Sequence, residues 1–329
     1  MANVTYRAVV CDTLGPPEQL MLRLLSRPAL PARHVRVAVR AAGINFPDVL
    51  MVQGLYQHKP DLPFVPGLEA AGEIIELGEG VADLGIGTRV IARMRTGAFA
   101  EEAVVSEADV VPLPSGYTHT EASTLLVAHV TAYHALATRA RLARGETLLV
   151  LGAGGGVGLA AVEVGRLLGA NVIAVASSEA KRAAAHVKGA AHVLDPSEAK
   201  LADAVRKITG DKGADVVLDP VGFAAEDALR CLSFGGRLLV TGFAAGAIPA
   251  YAANRILLKS ASVIGIRAGE AARHDPALRE REMHELLAWA NAGKIRPYVS
   301  ATFPLAQVAE AMDMLAERRA IGRIALTMD

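Results

Sequence analysis

The sequence predicts an α/β fold in two domains, and three observations carry that reading. A chain of 329 residues exceeds one ordinary core and fits two domains of common size. Its first 120 or so residues read as short strands broken by Gly and Pro, the texture of a barrel-like or sandwich-like β unit. From Glu121 onward strands and helices alternate and the strands are continuously apolar, as in a doubly wound parallel sheet covered on both faces.

In the β-rich part, Val35–Val39 alternates as a half-buried strand does, and Ala71–Leu77 reads as a second strand closed by the turn Gly78–Gly80. Thr88–Ala92 and Glu101–Val105 continue the pattern, and Glu121–Arg139 is helical in composition. The alternating part then predicts strand Thr147–Leu151, helix Val157–Leu168, strand Val172–Ala176, helix Glu179–Lys188 and strand His192–Leu194. Helix Ala199–Thr209, strand Asp215–Leu218, helix Ala224–Cys231 and strand Arg237–Thr241 complete it. The tail reads as helix Leu278–Ala292, strand Val299–Phe303, helix Ala306–Ala316 and strand Arg323–Thr327. The texture changes near residue 125 and returns near 297, which predicts units 1–124 with 297–329, and 125–296.

Composition narrows the function. Lys+Arg and Asp+Glu both number 34, so the chain lacks the basic excess that phosphate backbones or anionic membranes demand. The longest apolar run, between Glu146 and Glu163, is under 18 residues and broken by glycines, too short for a membrane span. The opening MANVTYRAVV has neither an apolar core nor a small-residue cleavage site, which predicts a cytoplasmic protein. With only Cys11 and Cys231, no disulfide framework or cysteine-rich metal site is expected.

The most informative run is Gly152-Ala153-Gly154-Gly155-Gly156-Val157-Gly158, which follows an apolar strand and opens a helix. Dinucleotide binding needs that context: a tight turn, close approach to the pyrophosphate, and a helix N-terminus aimed at it. The best register, Ala153-x-Gly155-x-x-Gly158, departs from the full glycine fingerprint at its first position. After Val172–Ala176 the chain reads Ser177-Ser178-Glu179-Ala180-Lys181, with no carboxylate at the strand tip for a ribose 2′-hydroxyl. Ser177 and Lys181 suit a 2′-phosphate instead, which favours NADPH over NADH. The alternative is that Ser177 or Ser178 caps the next helix, with Lys181 solvated in its first turn and Glu179 opposing an anion.

Taken in order, Ala41-Ala42-Gly43-Ile44-Asn45-Phe46-Pro47-Asp48, Pro66-Gly67-Leu68-Glu69-Ala70-Ala71-Gly72, Thr131-Ala132-Tyr133, Ala153–Gly158, Asp215–Gly222 and Gly293-Lys294-Ile295 resemble the medium-chain dehydrogenase/reductase superfamily, in particular its zinc-free quinone oxidoreductase branch. The resemblance implies a GroES-like β-barrel domain formed by both chain ends around a central Rossmann domain, and a homodimer joined edge to edge. Where zinc-dependent members carry a cysteine, a histidine and a second cysteine, this chain has Asn45, Leu68 and Val127, and it lacks their cysteine-rich lobe. His129 and His134 are five positions apart and share no helix face, so they offer no replacement ligand pair.

Carried over residue by residue, the resemblance places Asn45 beside the nicotinamide, where it would orient cofactor or substrate or polarise the acceptor carbonyl. It gives Thr131 the nicotinamide ribose or carboxamide, and Gly242 and Phe243 the nicotinamide side. Ala153, Gly155, Gly156, Val157 and Gly158 form the pyrophosphate turn, Lys181 meets the 2′-phosphate, and Arg319 resembles an arginine that contacts phosphate in some relatives. Pro196 stands where some relatives carry a tyrosine on the adenosine phosphate. Tyr56 matches the proton-donating tyrosine of medium-chain enoyl-thioester reductases, and quinone reductases also carry a tyrosine there.

Without zinc or a Tyr-x-x-x-Lys pair the chain has no evident means of stabilising an alkoxide. Quinones and conjugated carbonyls accept hydride with less help, so the expected activity is metal-free, NADPH-dependent reduction of a small molecule of that class. Two alternatives stand beside it. One is a 2-enoyl-thioester or enone reductase with Tyr56 as proton donor. The other is a low-turnover NADPH-binding structural or regulatory protein.

Overall fold

The structure, a computed structural model, describes residues 4–197, 200–222 and 225–328. It divides into two compact units, Met1–Val127 with Val299–Asp329, and Ala128–Tyr298. The first unit opens on an antiparallel hairpin, β1 (Thr5–Val10) and β2 (Met21–Ser26). Strand β2 is exposed along most of its length, so it carries no buried alternation for a sequence reading to find. Next come β3 (His34–Ile44), α1 (Phe46–Val52), β4 (Glu69–Leu77), β5 (Arg89–Arg93), β6 (Glu102–Ser106) and β7 (Val110–Pro112). Val35, Val37 and Val39 of β3 point into the core, as their spacing predicts, but the strand continues to Ile44.

The single helix expected over Glu121–Arg139 is three pieces: α2 (His119–Ala122), α3 (Leu126–Tyr133) and a π-helical turn at His134–Arg139. Thr118 and Glu121 form a capping box that starts α2. The hydroxyls of Ser123 and Thr124 then bond back to the carbonyls of Thr120 and Glu121 at 3.0 and 2.9 Å, competing with a continuous helical ladder.

The second unit alternates regularly. Strands β8 (Thr147–Val150), β9 (Asn171–Val175), β10 (His192–Leu194), β11 (Ala214–Asp219), β12 (Leu232–Val240) and β13 (Ser262–Gly265) form one sheet. Helices α4 (Gly156–Leu167), α5 (Glu179–Val187), α6 (Leu201–Thr209), α7 (Ala225–Cys231) and α8 (Ala253–Lys259) connect them in turn, and α9 (Ala268–His274) and α10 (Pro276–Asn291) follow. The first residues of two expected helices, Ala199 and Ala224, lie outside the described residues. Sheet order is β10-β9-β8-β11-β12-β13 with every pair parallel, the doubly wound order that reverses between β8 and β11. Leu148, Leu149, Val150, Val216, Val217 and Leu218 are fully buried, which is why these central strands read as unbroken apolar runs.

The chain then returns to the first unit through β14 (Val299–Pro304), α11 (Val308–Ala316) and β15 (Arg323–Thr327). Strand β15 pairs antiparallel with β3 and parallel with β14, so the C-terminal segment completes a sheet begun near the N-terminus. Its order is β14-β15-β3-β4-β5-β7, with β6 also on β3. Among the described residues no helix is long and apolar enough to cross a membrane.

Candidate active site

In the second unit, β8 ends at Val150 and the chain turns through Leu151–Gly155 into α4. The N-cap of α4 is Gly155, which has no side chain to take up the amides of the first turn. Gly158 is required by packing: a Cβ there would lie 2.4 Å from the Gly152 carbonyl oxygen and 2.7 Å from Ala153 Cα. Gly155 has no such internal cause. It is exposed, its φ of −87° suits any residue, and a Cβ would meet nothing nearer than 3.6 Å. What glycine provides at 155 is access to the first-turn amides of Gly156, Val157 and Gly158 from outside, which is what a pyrophosphate needs. Ala153, fully buried, anchors the turn through its N–H to the Val175 carbonyl at 2.9 Å.

At the tip of β9 the two serines separate in role. Ser178 is the N-cap of α5 and its Oγ accepts from the Lys181 N–H at 3.3 Å. Ser177 is exposed and is not the cap. The Lys181 side chain lies over the glycine turn: a Cβ on Gly154 would come within 2.6 Å of its Cβ and Cγ and 2.7 Å of its Cδ. Gly154 thus lets the first turn of α5 pack against the turn that opens α4.

At the same end of the sheet, the loops after β11 and β12 are tied together. Asp219, fully buried, accepts from the N–H groups of Val221 and Gly222 at 2.8 and 2.9 Å through Oδ1, and its carbonyl accepts from Thr241 N at 2.9 Å. Phe243, 37% exposed, rests on Gly222, where a Cβ would sit 3.0 Å from its ring. Gly242 lies under the Pro220 carbonyl, 3.2 Å from where its Cβ would be. Sequence reasoning did not select Asp219 as a site residue, although the run Asp215–Gly222 contains it. The useful signal was a carboxylate two and three residues ahead of amides at a strand end.

Thr131 is half-buried near the end of α3, which leads into the π-helical turn. That turn has a visible cause: Glu282 of α10 takes hydrogen bonds from His134 Nδ1 at 2.8 Å and Thr138 Oγ1 at 2.6 Å through one oxygen. His129 lies 3.1 Å from Glu163, which also receives Lys188 at 2.9 Å. Both histidines are therefore buried partners of carboxylates.

In the first unit, β3 delivers Asn45 to the N-cap of α1. Its backbone N–H donates to Asp48 Oδ2 at 2.8 Å, and its side-chain Nδ2 donates to the Gly43 carbonyl at 3.3 Å and to Glu69 Oε1 at 3.2 Å. Both amide hydrogens are thus engaged, and Asn45 has no donor left to polarise a carbonyl. Glu69, fully buried, also pairs with Arg323 and accepts from Val127 N at 3.0 Å. Burial pushes the Glu69 carboxyl up, against the opposing pull of the Arg323 guanidinium. Burial pushes Asp48 up to about 7, outweighing the hydrogen bond from Asn45. Tyr56 follows α1 in the loop after the turn at Gly54, with its ring packed partly buried against the core. Arg319, beyond α11, donates through Nε to Glu317 at 2.6 Å with both side chains exposed.

Two family models match the chain: "Alcohol dehydrogenase GroES-like domain" over residues 31–115 and "Zinc-binding dehydrogenase" over 156–290. "Quinone oxidoreductase-like protein 2 homolog" of Nematostella vectensis is 37% identical over 98% of this chain and 89% of its own length. The chain belongs to the quinone oxidoreductase branch of the medium-chain dehydrogenase/reductase superfamily. The Escherichia coli quinone oxidoreductase, solved with NADPH, is 28% identical with a TM-score of 0.90, covering 98% of this chain and 100% of its own. A probable oxidoreductase from Mycobacterium abscessus is 36% identical with a TM-score of 0.89, covering 99% and 100%.

Membership makes the first unit the family's GroES-like domain and the second its Rossmann-like domain. It also brings two groups whose fit is tested by the residues present. The glycine turn fits a dinucleotide: its exposed Gly155 is left open for no internal reason. For the zinc implied by the name of the second family model, Asn45, Leu68 and Val127 supply no thiolate or imidazole. Among the described residues no three His, Cys, Asp or Glu side chains stand together as a replacement.

Proposed function

We propose that this chain is an NADPH-dependent reductase that passes hydride directly to quinones or other activated C=C and carbonyl acceptors, with no metal in the step. The observation that carries the reading is the set Asn45, Leu68 and Val127 at the positions of the superfamily's zinc ligands. Alcohol oxidation in this superfamily rests on a metal to hold the alkoxide, whereas a conjugated acceptor delocalises the charge it receives. NADPH, when bound, supplies the hydride from C4 of its nicotinamide.

The amides of Gly156, Val157 and Gly158 bind the pyrophosphate over the open Gly155, with Ala153 anchoring the turn. Ser177 and Lys181 take the 2′-phosphate. Thr131, Gly242 and Phe243 border the nicotinamide. Asn45, whose nitrogen is turned inward, and Tyr56 border the acceptor. Arg319, exposed and paired with Glu317 only through its Nε, keeps its Nη groups for a phosphate contact. The NADPH held by the Escherichia coli relative supports the cofactor. Assembly is assigned as a homodimer through the edge strand β13, supported by the exposed side chains of Phe234, Leu257 and Leu258 on neighbouring β12 and α8.

The test is NADPH oxidation with 1,4-benzoquinone, 9,10-phenanthrenequinone and crotonyl thioester side by side. Turnover with the quinones is expected. Tight NADPH binding with no turnover on any acceptor contradicts the reading and favours a binding protein. Tyr56 keeps the enoyl-thioester reading open, since a phenol there suits proton delivery to the α-carbon. If Tyr56 only shapes the acceptor site, Tyr56→Phe changes kcat with quinones by less than about five-fold, around 1 kcal/mol. A loss of roughly a hundred-fold on an enoyl thioester that the wild type reduces well makes enoyl reduction the better reading.

A further inference from the structure

Glu69 is the hub of a buried polar cluster that the activity described so far does not use. It sits at the start of β4 and reaches Asn45 after β3, Arg323 at the start of β15 and Val127 in α3. Its neighbours make room for it: a Cβ on Gly43 would lie 3.0 Å from Glu69 Oε1 and 2.3 Å from the Ser123 carbonyl oxygen. Glu69 and Arg323 are both buried, and a buried ion pair is a poor source of stability compared with apolar residues of the same volume.

We propose that Glu69, clamped by Arg323, is a positioning residue for the reaction: it fixes the Asn45 amide with its nitrogen turned into the protein, so that Asn45 presents no N–H to the acceptor. This rests on the reading that Asn45 borders the acceptor. The orientation follows from chemistry. A carboxylate and a carbonyl both accept and neither donates, so the atom facing Glu69 Oε1 and the Gly43 carbonyl must be Nδ2. Asp48 holds the backbone side of the same residue, accepting from Asn45 N at 2.8 Å. Asp48 faces the Asn45 side chain with its own N–H in the capping box of α1, and Glu69 sets which way the amide nitrogen turns.

A reversed pair tests this. Glu69→Gln removes the acceptor strength that holds the amide, and Asn45→Asp sets a second carboxylate against Glu69. Together they restore a hydrogen bond in the opposite sense at unchanged net charge, the new amide on β4 donating to the new carboxylate at the N-cap of α1. Each single substitution is expected to lower kcat with 1,4-benzoquinone by about ten-fold or more, as small misplacements of a reacting group do. NADPH affinity, followed by the cofactor's fluorescence, is expected to stay at the wild-type value. The double variant is expected to return to within about three-fold of wild type, since residues in contact are coupled.

A double variant no faster than the slower single overturns the proposal. So does wild-type kcat in Glu69→Gln when Asn45→Asp is slow. Asn45→Ala at wild-type kcat overturns the placement of Asn45 itself, and the two failures are told apart in that way. Should Glu69→Gln not fold, Glu69→Asp keeps the charge and withdraws it by one methylene. Lower kcat at unchanged NADPH affinity in that variant supports the proposal, and unchanged kcat overturns it.

Discussion

At the scale of one residue, the proposed function gives the cofactor preference to Lys181. Its stem crosses the glycine turn, and its own N–H is held by the cap Ser178. A charged hydrogen bond is worth roughly 1.5–3 kcal/mol, or about ten- to a hundred-fold in affinity. Lys181→Ala is expected to weaken NADPH binding by that factor and leave NADH nearly unchanged, read by titration with each cofactor. Equal losses for both, or a wild-type preference for NADH, contradict the assignment. Candidate residues that lie close together in the chain can be proposed from the sequence alone. The glycine turn, the serine-lysine segment and the substituted zinc positions all lie in short runs with defined spacing. The surroundings of Asn45 are not legible, because Glu69 and Arg323 are 254 positions apart and only folding joins them. A polarising role for Asn45 depends on those hidden partners, which consume its donors.

At the scale of elements, helix starts do most of the work. The open N-terminus of α4 predicts that Gly155→Ala folds normally yet binds NADPH more weakly, whereas Gly158→Ala, with a Cβ 2.4 Å from a carbonyl oxygen, loses stability as well. Thermal melts beside cofactor titrations separate the two, and a Gly155→Ala variant with wild-type affinity contradicts the role given to the turn. The start of α1 predicts a pH effect. Asp48 keeps its proton up to about 7 in the folded chain, against an ordinary value of 3.8. The native state then holds a proton that the unfolded chain has released, so stability falls as pH rises from about 4 to about 7, by roughly 1.4 kcal/mol per pH unit at most. Asp48→Asn is expected to flatten that decline in melts recorded from about pH 5 to about pH 8, and an identical pH dependence in the variant contradicts it. Helical composition alone runs α2, α3 and the π-helical turn together. The breaks come from Ser123 and Thr124 bonding back to the chain and from Glu282 holding His134 and Thr138. Strand β2, α8 and β13 leave little trace in the sequence because largely exposed elements carry little periodicity.

At the scale of the molecule, β14 and β15 from the C-terminal segment join β3 to β7 in one sheet, and the middle of the chain forms another. The change of texture along the sequence anticipates this, since only a parallel sheet buried on both faces needs continuously apolar strands. By the proposed function such a scaffold, with Asn45, Leu68 and Val127 where zinc-dependent members of the superfamily carry their ligands, passes hydride from NADPH to an acceptor without a metal. The most direct measurement is NADPH:quinone turnover of exhaustively chelated protein, with zinc determined by elemental analysis on the same sample. Undiminished turnover at zinc contents far below one per chain is expected. Turnover that disappears on chelation and returns on adding one zinc per chain would contradict it.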